Sequence, residues 1–165
     1  MEENNKGLLN VRDFACFIKC KYFEKYEKVI SPIKLQKALY FCFAYWGGFV
    51  MKSRGTEEEI NENPYLFDAT FKAWVYGPVI PSIYHEEQTG TLTDIISEQE
   101  LFKDNDFLKE TIISLLDDLF EISDFKLVNL AHSDMCWINN FDMNANKHDK
   151  VINNDDIINE YAIKC

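Results

Sequence analysis

The run from Ala38 to Met51, ALYFCFAYWGGFVM, constrains the fold of this chain more than any other feature. It is 14 residues long and is interrupted by Gly47-Gly48, whereas a helix that spans a bilayer needs about 20 apolar residues. It therefore reads as a buried helix, apolar nearly all round, that other elements must cover on several sides. No membrane segment is expected. Just upstream, Ser31-Pro32 is a strong helix start. Serine caps free N–H groups, and proline suits a first turn where its missing N–H is not needed. The resulting helix, Pro32 to Lys52, is the expected centre of the core.

The remaining elements follow from period and punctuation. Val11, Phe14, Ala15, Ile18, Tyr22 and Tyr26 recur at helical spacing and predict a first helix from Leu9 to Lys28. Ser53 to Pro64 is polar and acidic, a surface loop. Leu66–Phe67 and Phe71–Tyr76 read as two short strands with Asp68-Ala69-Thr70 as the turn between them. Gly77-Pro78 ends the second strand, and Pro81 opens a short helix to Glu87. Ser97-Glu98-Gln99-Glu100 fits a capping box and predicts a helix to Ile122, with a break near Asp104-Asn105-Asp106. Ser123 caps a helix from Asp124 to His132, and a last helix runs from Asn154 to Ile163. The expected fold is mainly α, a single compact helical domain with one short central antiparallel β-hairpin. Residues 1–30 supply an N-terminal helix packed on a domain formed by 31–165.

Apolar residues make up 47% of the chain and aromatics 15%, enough for a real core, so disorder is not expected. The net charge of -11 is unevenly spread. From Met1 to Lys37 there are eight Lys/Arg against five Asp/Glu, and from Asp94 to Asp124 ten acids against two lysines. The chain therefore reads as electrically two-ended. The acidic end disfavours nucleic acid as a direct partner and favours a basic protein, steered in by the long-range field. The alternative is a solvated face that aids solubility. Five cysteines, Cys16, Cys20, Cys42, Cys136 and Cys165, form no CxxC pair, and the N-terminus carries no signal peptide. A reducing cytoplasm is the expected compartment. Cys16 and Cys20 share a helical face but lack a second ligand pair, so no metal and no cofactor are expected.

Four blocks, Ser31 to Phe41, Leu66 to Glu86, Phe125 to Trp137 and Asp155 to Tyr161, taken in this order resemble the Panacea domain of SocA-like antitoxins. Ser31 to Phe41, SPIKLQKALYF, is similar to that family's KLQKLLYF opening. Leu66 to Glu86, LFDATFKAWVYGPVIPSIYHE, resembles its central block of strand aromatics followed by Tyr-Gly-Pro-Val. Phe125 to Trp137, FKLVNLAHSDMCW, resembles a block in which His precedes Pro-Trp, although here Ala131 replaces the usual Thr and Cys136 the usual Pro. Asp155 to Tyr161 resembles the closing helix. The resemblance implies a cytoplasmic antitoxin that neutralises a cognate toxin by direct contact, with a host protease as a further partner in some members.

On this reading the structural motif comprises Lys34, Gln36, Lys37, Tyr40, Trp74, His132 and Trp137. On a helix Gln36 and Tyr40 share a face, as do Lys37 and Tyr40. They either form a polar patch at the mouth of a groove or satisfy nearby carbonyls and hold the hairpin. The partner-binding candidates are Tyr76, Gly77, Pro78, Ile83, Tyr84 and His85 around the hairpin, and Asp117, Asp118 and Glu121 on the acidic helix. Large amphipathic rings such as Tyr84 are common interface anchors, with core packing as the alternative. His132 with Asp134 could act as a general base. Against that, no Gly-x-Ser-x-Gly elbow, P-loop or HExxH accompanies the pair, and a histidine at a helix C-terminus is favoured by the dipole alone. The expected activity is therefore binding without catalysis. A mobile-element inhibitor of a host defence protein, using the acidic segment as a nucleic-acid mimic, is the alternative, and an enzyme using His132 the third.

Overall fold

Asn10, Ser31, Ser97, Asn105 and Ser123 each start a helix with a side chain that caps free backbone N–H groups. The computed structural model describes residues 7–144 and 149–164. Asn10 accepts from the N–H of Asp13 at 3.0 Å and opens α1, Val11–Tyr26. Leu9 is thereby left outside the helix. Ser31 accepts from the N–H of Lys34 at 3.0 Å and opens α2, Pro32–Ser53. The Ser97–Glu100 capping box opens α4, Glu98–Phe102. The expected break follows, where Asn105 caps α5, Asp106–Phe120. Ser123 caps α6, Asp124–His132. Between β-structure and α4 lies α3, Pro81–Thr89. A four-residue α7, Met135–Ile138, which the sequence reading did not foresee, precedes α8, Asn154–Lys164.

The fold is mainly helical, as expected, and α2 is its centre. Every residue from 34 to 44 is buried. Among the described residues its most extensive neighbour is α8. Gly47 and Gly48 allow that approach. A Cβ on Gly48 would lie 2.6 Å from the backbone carbonyl carbon of Tyr161, and one on Gly47 would lie 2.5 Å from Ile158 Cγ1. Helices α5 and α6 and strand β2 cover other sides of α2, with α1 and α3 adding further cover.

The hairpin is displaced from its expected position. Its strands are β1, Phe71–Trp74, and β2, Gly77–Val79, with Val75 and Tyr76 at the tip. Leu66 and Phe67 are not one of its strands. Both side chains are fully buried, and Phe67 forms a parallel bridge with Leu9 and does not pair with β1. Instead the N–H groups of Leu8 and Leu9 donate to the carbonyls of Tyr65 and Leu66 at 3.2 and 2.8 Å. Phe67 packs with Phe14, Phe43 and Phe71. Asp68-Ala69-Thr70 leads into β1 rather than turning between strands. The turn falls one step later because Gly77, with φ at 107°, takes the positive-φ backbone that Val75 and Tyr76 avoid. A third strand, β3, Val151–Ile152, pairs antiparallel with the other side of β1, giving the order β2-β1-β3.

Because the α2–α8 contact is made across a backbone, it cannot relax around a new methyl group. Gly48→Ala should therefore destabilise the protein by about 2–3 kcal/mol, read as a lower midpoint in urea unfolding at unchanged slope.

Candidate functional site

The polar residues in the first turns of α2, Lys34, Gln36 and Lys37, do not face solvent. Each one reaches into a different covering element. Gln36 grips Ile80 from both ends of its amide: Nε2 donates to the Ile80 carbonyl at 3.2 Å, and the Ile80 N–H donates to Oε1 at 2.9 Å. Lys37 Nζ donates to the Pro78 carbonyl at 2.9 Å. Lys34 Nζ donates to the carbonyls of Phe120 and Ile122 at 3.0 and 2.5 Å, closing the C-terminal end of α5. Of the two alternatives for Gln36 and Lys37, the geometry shows the second: they satisfy carbonyls and hold the hairpin. Burial drives the Lys37 ammonium down to about 7, because a desolvated charge is disfavoured.

The other end of the hairpin is held from α6 and α7. His132 Nε2 lies 2.7 Å from the Val75 carbonyl. A carbonyl only accepts, so Nε2 carries the proton. Trp137 Nε1 donates to the Trp74 carbonyl at 2.8 Å. The His132 and Trp137 rings stack at 4.2 Å, and Trp137 stacks in turn on Phe141. The motif residues of three separate sequence blocks thus meet on one seven-residue stretch, Trp74 to Ile80.

The carboxylate of Asp134 is engaged by residues other than His132. Asp134 is 1% exposed. It accepts from Tyr40 and Tyr161, each hydroxyl at 2.6 Å, and from Lys164. Burial, reinforced by this carboxylate, pushes both tyrosines above their ordinary range. Cys136, 3.2 Å from the Tyr40 hydroxyl, is likewise pushed up to about 12 by burial. Glu160 accepts from the N–H groups of Met135 and Cys136, both at 2.8 Å, and so caps α7 from α8. Asp134 is therefore the centre of a buried knot that joins α2, α7 and α8.

What the clamped hairpin offers to solvent is aromatic. Tyr76 is 59% exposed, Val75 47% and Tyr84 37%. Tyr84 packs edge-on against Trp74 at 5.0 Å. A pocket of about 330 Å³ opens here, with Ile33, Trp74, Tyr76, Val79 and Tyr84 in its lining. His85 is exposed beside it. Gly77, Pro78 and Ile83 are buried, so they shape this surface and do not form it. Val75 at the tip and Ile33 in the pocket wall were missed in the sequence. Their only signal was aliphatic character, which core residues share.

The acidic candidates lie elsewhere, Asp117 and Asp118 on α5 and Glu121 at its C-cap. Asp117 and Asp118 are exposed, but Glu121 accepts from the Tyr26 hydroxyl and sits 3.5 Å from Lys25. The two-ended charge of the sequence is not preserved in space. Arg12 pairs with Glu86 and Asp94, Lys19 with Glu87, and Lys21 with Glu98, so the basic first helix lies against acids from later in the chain.

Cys16 and Cys42 are buried thiols raised by desolvation, and Cys165 lies outside the described residues. Among the described residues no three His, Cys, Asp or Glu side chains gather as a metal site. Nor is any helix among them long and apolar enough to cross a membrane. Comparison of the chain with protein-family models, with curated proteins and with solved structures finds no match.

Lys37 makes a pH signature. Its folded value is near 7 against an ordinary 10.5, so the unfolded chain binds the extra proton. The penalty of burial is present in full below about pH 7 and is relieved as pH rises toward 10.5. Wild-type stability should therefore gain a few kcal/mol from this group across that window. In Lys37→Met that contribution should vanish, seen as a flatter plot of unfolding free energy against pH.

Proposed function

We propose that this chain is a non-catalytic, antitoxin-like protein that neutralises a cognate, basic protein toxin by direct contact through the hairpin face. The observation that carries this reading is the clamped hairpin. Two carbonyls and one N–H of the Trp74–Ile80 stretch are committed to buried side chains on α2, and two further carbonyls to His132 and Trp137. A surface ordered in advance loses little entropy on binding. The residues so displayed, Tyr76 and Tyr84 beside an apolar pocket, are of the type that anchors interfaces.

The resemblance of the four sequence blocks to Panacea antitoxins supports the same reading, because the residues that carry it are the ones that build the clamp. The mimicry alternative is less well supported, since Glu121 of the acidic set is already engaged by Tyr26 and Lys25. Catalysis by His132 finds little support in a ring committed to the Val75 carbonyl and stacked on Trp137.

Co-expression with the product of the adjacent gene, scored by growth, tests the reading directly. Rescue is expected from the wild type, and from His132→Ala where that variant folds. In binding kinetics, Tyr76→Ala and Tyr84→Ala should each speed dissociation, by an amount worth about 2 kcal/mol for an anchor. Charge reversal at Asp117 and Asp118 should slow association and flatten its salt dependence while leaving dissociation nearly unchanged. If the charge reversals speed dissociation and the tyrosine changes do not, the binding face is α5 and the hairpin reading fails.

A further inference from the structure

A second surface lies away from the hairpin tip, between α1 and the irregular segment that leads from α3 into α4. It is a groove of about 700 Å³. Cys16, Phe17, Ile30 and Leu92 are its buried lining. Along its rim Phe23 is 53% exposed, Val29 71% and Ile95 85%. This is far more apolar side chain than isolated surface residues would show, and all of it borders one concavity.

The outer wall is fixed at both ends. Arg12 donates to the Thr91 carbonyl and to Asp94, each at 2.7 Å, and the Thr91 N–H donates to the Glu86 carbonyl at 3.0 Å. At the other end the Ser97–Glu100 capping box starts α4, and Lys21 lies 3.6 Å from Glu98. Between these ties the peptide groups of Leu92, Thr93, Ile95 and Ile96 make no backbone–backbone hydrogen bond among the described residues. A held segment with open peptide groups beside an apolar floor is a template for strand addition. A docking helix satisfies its own peptide groups and would leave these open.

The charge at the groove selects the partner. Its cations are already paired: Arg12 with Glu86 and Asp94, Lys19 with Glu87, Lys21 with Glu98. Glu24 on the rim has no ion-pair partner among the described residues. The charge left unmatched is negative, on a chain of net charge -11. That complements a basic segment and works against a second copy of this chain. The parts of the chain outside the described residues contain Met1 as their one large apolar residue, a poor match for this floor.

We propose that this groove binds an extended segment of a partner protein with alternating apolar and basic residues, its main chain paired with residues 93–96 and its apolar side chains over Phe17 and Phe23. This site stands independently of the hairpin reading. The probe is a fluorescent heptapeptide, Lys-Val-Lys-Leu-Lys-Val-Lys, blocked at both ends, with a second version N-methylated at alternate residues. Anisotropy titration at physiological salt should show saturable binding of the first peptide and at least about tenfold weaker binding of the second, which has lost the donors a strand uses. Ile95→Asp should weaken binding about tenfold, and Glu24→Lys about threefold. Both side chains are exposed, so neither change threatens the fold. Amide shifts in NMR should centre on residues 92–96. Absence of saturable binding, equal binding of the N-methylated peptide, or shifts centred on α5 would each overturn the proposal.

Discussion

A helix segment buried on every side, as residues 34–44 of α2 are, cannot leave a polar side chain unpaired. An unmatched buried donor or acceptor costs about 1–3 kcal/mol. In α2 this constraint falls on Lys34, Gln36, Lys37 and Tyr40, all buried, and each is matched by a different neighbour. Lys34 takes the C-terminal carbonyls of α5, Gln36 takes Ile80, Lys37 takes Pro78, and Tyr40 takes Asp134. The apolar surface of α2 demands cover, and these four residues specify which piece of chain covers which side. The placement of the hairpin, of α5 and of the α7–α8 corner all follow from it.

The hairpin shows what such matching achieves. Two strands of four and three residues have little stability by themselves. Here their backbone is held from α2 on one side and from His132 and Trp137 on the other. Gly77 permits the close approach, since a Cβ there would lie 2.9 Å from Lys37 Cε. A desolvated lysine is a costly tether.

Much of the helical framework was legible in the sequence. Ser31-Pro32, the Ser97 capping box, Asn105 and Ser123 are local signals, each acting within about four residues, and helices α2, α4, α5 and α6 start where these signals stand. The apolar run at Ala38 identified the core helix for the same reason, because periodic burial is written into one segment. The hairpin was legible as a hairpin but not in register. Leu66-Phe67 has the composition of a strand, and only the presence of Leu8 and Leu9 alongside it shows that its partner is the N-terminal segment. The β3 strand, two residues long, has no sequence signature at all.

The same division holds for the candidate site. The sequence alone determined that Gln36, Lys37, Trp74, His132 and Trp137 belong to distinctive blocks, and that the chain is strongly acidic with its cations early. Tertiary structure decided what those residues do. It set Lys37 and His132 against hairpin carbonyls, spent Asp134 on two tyrosines and a lysine, and laid the basic first helix against the later acids. The physical reason is range. Caps, turns and helical period are interactions between near neighbours, readable from spacing. A buried donor is satisfied by whichever acceptor the fold brings within 3 Å or so, and that acceptor is often dozens of residues away.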